Sequence, residues 1–296
     1  MPDITIFTPA YNRAHTLKRL YESIVSQPMN EKVEWLVIDD GSTDNTEQLI
    51  SAFQTENRIN IRYYKVPNGG KPRAINRACQ LAESEWMFIV DSDDYLAPNI
   101  LQILIKETII EAENTKCSGI GVMRSYPNGK MFANPIFEKF AYGTNLERAK
   151  LGLDYDCNEV YRISVLSQYP FKVWPGEIFV PEATVLNEMA LDGFKIKWIN
   201  QVGVISEYQE DGMTVNSWRL MKNNPMGYAM SFNHMLKYTK GFKNKLNCII
   251  QAGIHAWIGG HPIVSTQNRL SIVSAFLLPV TGVLSLRRQL QYKKYI

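Results

Sequence analysis

Three carboxylates fall within four positions in the stretch DSDD (Asp91, Asp93 and Asp94), directly after the apolar run WMFIV at Trp86–Val90. On an extended backbone alternate side chains share a face, which is expected to set Asp91 and Asp93 together, with Ser92 and Asp94 opposite. Two carboxylates in one small volume repel each other at neutral pH unless a cation lies between them. A hard divalent ion with oxygen ligands is the usual remedy, and such an ion keeps open positions for substrate phosphates. The aspartates are not needed as helix caps, because Pro98 and Asn99 already begin the next helical pattern. No Gly or Glu stands where an EF-hand loop requires one.

A second acidic pair, Asp39 and Asp40, ends the apolar segment EWLVI at Glu34–Ile38. In the segment DDGSTDNT, Gly41 suits a turn, and Ser42, Thr43 or Asp44 suits the cap of a following helix. That leaves Asp39 and Asp40 without a structural task, and a ligand donor such as the imide N–H of uracil would satisfy one of them. In the segment PNGGKPR, Gly69 and Gly70 supply backbone freedom and Pro72 fits a first helical turn. Lys71 and Arg73 either face solvent, hold a phosphate or pair with the aspartates; all three readings stay open at this level.

The elements that must position these loops follow from two alternating periodicities. Short strands are expected at 4–8, 34–38, 60–66 and 86–90, and helices at 14–27, 44–53, 73–81 and 99–112. Strands alternating with helices favour a parallel sheet covered on both faces, with ligands bound at the carboxyl ends of the strands. The polar stretches TPAYNR, DDGSTDNT, PNGGKPR and DSDDY all stand at those ends.

Together, TPAYNRAHTL, VIDDGSTDNT, the Asn-Gly loop leading to INRA, and FIVDSDDYLAP resemble, in order and spacing, the family 2 inverting glycosyltransferases of the GT-A fold. The resemblance runs over roughly residues 1 to 215. It implies an α/β, Rossmann-like, mostly parallel sheet forming a nucleotide-sugar-binding and catalytic domain over 1–215, with a helical extension over 216–296. By the same resemblance Pro9 and Tyr11 line a uridine pocket and Asp40 meets uracil. Asp91 and Asp93 form a DXD motif beneath the diphosphate: Asp93 is the metal ligand, and Asp91 holds the ribose hydroxyls or shares the ion. Lys71 and Arg73 lie near the base or phosphates, although GGKPRAIN departs from the commoner wording of that loop. Arg13, Asn68, Gly69 and Ser92 stand in the same loops and join the candidate donor-binding set. The implied cofactors are Mn²⁺ or Mg²⁺ and a nucleotide-sugar donor, UDP-linked.

Transfer with inversion also needs a general base for the acceptor hydroxyl. The segment WPGEIFVPEATVLNEMALDG offers Glu177, Glu182 and Glu188. Glu182 follows Pro181 at an expected helix start, where the helix dipole favours a carboxylate, and it matches the family's acceptor-side segment; Glu177 is the reserve. Tyr208, Asp211 and Thr214 in SEYQEDGMT resemble a segment of related bacterial transferases that closes over the diphosphate or acceptor. The four histidines are scattered and read as packing or surface residues.

The chain has 296 residues, four separated cysteines and a net charge of +3, which suits free thiols in a reducing compartment and is too little to indicate nucleic acid. No leader pattern opens the sequence, so a cytoplasmic protein is expected. The uncharged stretch Leu270–Leu286 followed by RRQLQYKKYI reads either as a core helix or as an interfacial segment suited to an anionic bilayer. A glycan or lipid-linked acceptor, peripheral placement at the inner membrane face and homo-oligomerisation through the last helices complete the expected partners. Two rival functions are a nucleotidyltransferase, whose glycine-rich basic loop near the N-terminus is missing from TPAYNRAHTL, and a non-catalytic nucleotide-sugar or glycan-binding subunit, which would not need both DXD aspartates and Glu182.

Overall fold

The computed structural model describes residues 2–207, 217–262 and 272–295. Its first part alternates strand and helix: β1 (Ile4–Ala10), α1 (Ala14–Val25), β2 (Val33–Asp39), α2 (Thr46–Glu56), β3 (Asn60–Lys65), α3 (Lys71–Leu81) and β4 (Trp86–Ile89). A two-residue strand β5 (Tyr95–Leu96) then precedes α4 (Ile100–Glu111). The expected elements are all present, with ends shifted by a few residues. The next elements are β6 (Cys117–Ser125), β7 (Phe140–Gly143), β8 (Cys157–Arg162), the single turn α5 (Ile163–Leu166), α6 (Ala183–Leu191) and β9 (Lys195–Ile205). Among the described residues four helices follow: α7 (Ser217–Asn223), α8 (Pro225–Met235), α9 (Phe242–Ile258) and α10 (Ile272–Tyr295).

All strands of the described residues join one sheet in the order β3-β2-β1-β4-β8-β6-β9-β5, with β7 on β9. The β3-β2-β1-β4 half is parallel, as the alternating pattern requires. The other half is mixed: β8 runs antiparallel between β4 and β6, and β9 pairs parallel with β6 but antiparallel with β5 and β7. Half of the strand pairings are therefore antiparallel, which corrects the expectation of a mostly parallel sheet. The local pattern of the first four units does not extend to strands whose partners lie far along the chain.

Helix α1 buries Leu17, Leu20, Tyr21 and Ile24, the i, i+3, i+4, i+7 face of an amphipathic helix. Tyr21 stacks on Phe53 of α2 at 3.9 Å between ring centroids, beside Trp35 of β2. All seven residues of β2 are buried, as befits a strand paired on both edges and covered on both faces. Burial includes Glu34, whose charge is met by Arg62 Nη1 at 3.0 Å and by the Thr5 hydroxyl.

The chain divides into two compact units, residues 1–170 with 186–207, and residues 171–185 with 208–296. By these units Phe171–Val185 groups with the C-terminal helices, and the division falls inside α6. In the second unit the carboxylate of Glu177 accepts hydrogen bonds from the amides of Met226 and Gly227, both 2.7 Å, at the start of α8. Gly227 is required there, since a Cβ would lie 2.1 Å from the Phe179 carbonyl oxygen.

His255 of α9 is fully buried, stacked on Tyr228 at 5.6 Å and on Phe232 at 5.7 Å, with both ring nitrogens unpartnered among the described residues. Burial, reinforced by the Arg288 charge, lowers its pKa to about 4. The folded state thus holds the neutral imidazole. Stability is complete above the unfolded pKa near 6.5 and falls as pH drops from there toward 4, because the unfolded chain takes up the proton first. From pH 7 to pH 5 this site alone is expected to cost about 2 kcal/mol. His255→Phe should remove that part of the acid sensitivity, read from urea midpoints at the two pH values; an unchanged difference would contradict it.

Candidate active site

The candidate residues Pro9, Tyr11, Arg13, Asp40, Asn68, Gly69, Lys71, Arg73, Asp91, Ser92 and Asp93 all lie in the first unit, at or just beyond the carboxyl ends of β1 to β4 or at the start of α3. The β1 and β2 loops are tied to each other. Asn12, in the left-handed region at φ 54, accepts from the Thr43 amide at 2.8 Å through its side chain, and its own amide donates to Ser42 Oγ at 2.9 Å. Asp44 caps two helices at once, accepting from Ala14 N through Oδ2 and from Thr46 N through Oδ1, both 3.0 Å. Burial opposes its charge, yet the Thr46 hydroxyl and these amides outweigh it and hold the carboxyl below the usual range. Tyr11 is about half exposed, whereas Ser92 is buried.

Asp39 and Asp40 do not wait for a ligand, which corrects the inference from unsatisfied charge. Asp39 Oδ1 accepts from Ser42 N at 2.7 Å and Oδ2 from the Tyr63 hydroxyl at 2.5 Å. Asp40 accepts from Gly69 N and Gly70 N, each 2.7 Å, and so fastens the β3–α3 loop to the end of β2. Burial raises the Asp40 pKa despite these two amides. Arg73 Nη1 donates to the Gly69 carbonyl at 2.7 Å and fixes the same loop from inside α3. Gly70, at φ 86, gives the loop the backbone that a side chain would strain. Asp40→Ala should therefore lower the unfolding free energy by about 2–4 kcal/mol, the value of two charge-assisted hydrogen bonds in part-buried surroundings, by urea denaturation. A variant as stable as the parent would show that the loop is held by other means.

The DSDD segment is a turn rather than the end of a strand, since β4 stops at Ile89 and the Asp94 amide donates to the Asp91 carbonyl at 3.1 Å. The alternation argument gives the right grouping for another reason: the turn buries Ser92 and Asp94 while Asp91 and Asp93 stay partly open. Lys71 Nζ lies 2.7 Å from Asp91 Oδ1, so of the readings left open for Lys71 the structure displays pairing with an aspartate. Burial works against the Asp91 charge, and Lys71 and Arg124 more than offset it, holding the carboxyl below the usual range. Asp93 is the opposite case: burial and the neighbouring Asp91 charge both raise its pKa, and among the described residues it has no ion pair. Burial pushes Asp94 up to about 7, although Arg124 Nη2 is 3.2 Å away.

Two residues that brace the acidic turn went unseen in the motifs. Arg124 of β6 reaches Asp94 and, at 3.8 Å, Asp91, while its Nε donates to Asn158 Oδ1 at 2.9 Å. Arg19 of α1 donates to the Asp93 carbonyl at 2.9 Å and to Glu207 at 2.6 Å, with its guanidinium 4.5 Å from the Tyr95 ring centroid. An arginine inside the apolar strand SGIGVMRS was the one available signal for Arg124.

No group of three or more His, Cys, Asp or Glu among the described residues could by itself hold a metal ion. The donor set nonetheless fits a hard divalent ion whose shell is completed by substrate oxygens. Asp93 is a part-buried carboxylate beside a like charge, and Mg²⁺-type sites commonly use one or two carboxylates plus phosphates.

In the second unit, Glu182 is half-buried directly before α6, and its carbonyl accepts from Val185 N at 3.0 Å. Glu177, the reserve base, is buried, with its carboxylate engaged at the start of α8. Tyr208, Asp211 and Thr214 lie outside the described residues.

The model of the family named Glycosyl transferase family 2 matches residues 5–169, more than half of the chain. The chain belongs to glycosyltransferase family 2. Its relatives include the chondroitin synthase of Pasteurella multocida, 32% identical over 134 residues, which make up 45% of this chain and 14% of that protein. The poly(ribitol-phosphate) β-N-acetylglucosaminyltransferase TarS of Staphylococcus aureus is 24% identical over 212 residues, 70% of this chain and 35% of that protein. The chain thus spans only a minor part of the length of these family 2 relatives. Solved structures of the same fold include TarS residues 1–349 with UDP-GlcNAc, with a TM-score of 0.60 at 15% identity, covering 99% of this chain and 92% of that one. The mannosyltransferase PcManGT of Pyrobaculum calidifontis with GDP-Man and Mn²⁺ aligns with a TM-score of 0.56 at 17% identity, covering 100% and 86%. These likenesses establish the GT-A fold of the family 2 domain.

Proposed function

We propose that the chain is an inverting, metal-dependent glycosyltransferase. It moves a sugar from a UDP-linked donor onto a hydroxyl of a glycan or lipid-linked acceptor in cell-surface polysaccharide synthesis. The observation that carries this reading is the contrast within one turn between Asp91, clamped by Lys71, and Asp93, a destabilised carboxylate with no ion pair among the described residues. Family membership and the UDP-GlcNAc complex of TarS support the donor class.

Asp93 would hold Mn²⁺ or Mg²⁺, with Asp91 sharing it or holding the ribose hydroxyls. The bound ion supplies Lewis-acid stabilisation of the charge that develops on the departing diphosphate. Lys71 adds a fixed positive charge beside the same oxygens and keeps Asp91 ionised. Pro9 and Tyr11 flank the nucleoside, with Arg13, Asn68 and Ser92 in the surrounding loops. Asp40 acts on the base pocket through the Gly69–Gly70 loop that it fastens, and a direct bond to the uracil imide would use a remaining carboxylate lone pair. Glu182 takes the proton from the acceptor hydroxyl as its oxygen attacks the anomeric carbon on the face opposite the leaving diphosphate, which inverts that centre. The Glu177 carboxylate is engaged by the Met226 and Gly227 amides, which supports this assignment.

Calorimetric titration of UDP in Mn²⁺ and in EDTA tests the donor and metal parts together. Binding at least tenfold tighter with Mn²⁺ is expected, and equal affinity in both buffers would contradict a metal beneath the diphosphate.

A further inference from the structure

All 29 acidic residues of the chain precede Gly212, whereas eleven of its 32 Lys and Arg follow it. A segment of 85 residues therefore carries positive charge with no carboxylate. Among its described residues, Lys222, Lys237, Lys240, Lys243, Lys245, Arg287, Lys293 and Lys294 are all exposed.

The last helix is turned inside out. Against its neighbours α10 buries Thr281, Ser285 and Tyr292, while Phe276 (79% exposed), Val283 (68%), Leu286 (61%) and Leu290 (65%) face outward with Val280. Positions 276, 280, 283 and 290 form one stripe at helical spacing, and Arg287 and Lys294 continue it. Polar side chains inside and a contiguous apolar stripe outside is the reverse of a helix that only closes a core, and such stripes mark interaction surfaces. Contacts of α10 with α9 place the basic groups at one end: Trp257 Nε1 donates to the Leu278 carbonyl at 3.1 Å, Gly253 abuts Thr281, and Arg288 reaches Gln251 at 3.5 Å. This antiparallel register brings Lys243 and Lys245, with the exposed Phe242, toward the end of α10 that carries Lys293 and Lys294.

We infer that this face of α10 lies in the interface of an anionic lipid bilayer. The apolar stripe enters the headgroup and acyl boundary, and the cations meet the lipid phosphates. The longest uncharged run within the helix is 272–286, fewer than the ~20 residues needed to span a bilayer, and no helix of the described residues is long and apolar enough to cross one. A second copy is a poorer occupant. Two α10 helices side by side bring like charges together when parallel, set lysines against the Phe276 end when antiparallel, and offer no carboxylate either way. Each cation near an anionic surface strengthens partitioning about fivefold before salt screening, so charge and apolar burial act together. The inference goes beyond the transfer reading and does not depend on the donor, metal or base.

Co-sedimentation of the full chain with phosphatidylcholine vesicles, with and without 30 mol% phosphatidylglycerol, tests it. Binding to the anionic vesicles at low salt is expected, at least about tenfold stronger than to neutral vesicles and weakened at high salt. Arg287→Gln with Lys293→Gln and Lys294→Gln should lower anionic binding at least about tenfold. Phe276→Asn with Leu290→Asn, both exposed positions, should release the protein from both vesicle types while its circular dichroism and UDP affinity stay at the parent values. The full chain remaining in the supernatant with both vesicles, or both variants binding like the parent, would overturn the inference. So would a dimer in sedimentation velocity that Phe276→Asn with Leu290→Asn dissolves without any vesicle binding, which assigns the face to a second copy. Failure of sugar transfer leaves these readouts unchanged, so the two readings fail separately.

Discussion

Asp93→Asn lowers donor turnover about 10²–10³-fold, the scale on which removal of one electrostatic stabiliser of a developing anion is felt. The exchange keeps the side-chain volume and deletes the charge, so the packing of the turn survives. Stability supplies a second reading of the same change. In the free protein Asp93 is disfavoured by burial and by the Asp91 charge, and an amide there removes that repulsion. The variant should therefore be at least as stable as the parent without metal, and only the parent should gain further stability when Mn²⁺ is added to UDP, by mass action on the folded state. EDTA should bring the parent down to the activity of the variant. Full turnover in EDTA, or Mn²⁺ stabilising both proteins equally, would place the metal elsewhere or remove it from the reaction.

Glu182→Gln should lose transfer at least about 100-fold while keeping UDP affinity, because general-base catalysis contributes about 10²–10⁴ and the donor pocket belongs to other residues. Glu177→Gln is the informative contrast. It weakens the hold on two amides at the start of α8, so it should lower the unfolding midpoint of the second unit and leave the chemistry of a folded molecule intact. If Glu177→Gln abolishes transfer at unchanged stability while Glu182→Gln transfers normally, the roles are reversed.

The first four β–α units were legible because each rests on local periodicity, from the stripe Leu17, Leu20, Ile24 to the buried run of β2. The mixed half of the sheet was not, since β8 inserts between β4 and β6 from about 70 residues downstream of β4, and no local pattern encodes that. Hidden partners limited the reading of the site in the same way. Asp40 looked unsatisfied because its donors, Gly69 and Gly70, stand about 30 residues away, and Glu177 looked available because the α8 amides that hold it come about 50 residues later. Asp91 and Asp93 were grouped by strand alternation when a turn does the grouping. The residue types at the rim were readable from sequence because chemistry restricts them; their partners were not, because folding chooses those over long separations.

The most direct measurement is nucleoside diphosphate release by the purified chain, with Mn²⁺, from a panel of UDP-, GDP- and dTDP-sugars. The expected result is UDP release from at least one UDP-sugar, lost in EDTA and in Asp93→Asn, and stimulated by a hydroxyl acceptor whose product carries the inverted anomeric configuration. Release of pyrophosphate in place of a nucleoside diphosphate, or no release from any donor by a protein that binds UDP, would contradict a metal-dependent glycosyltransferase.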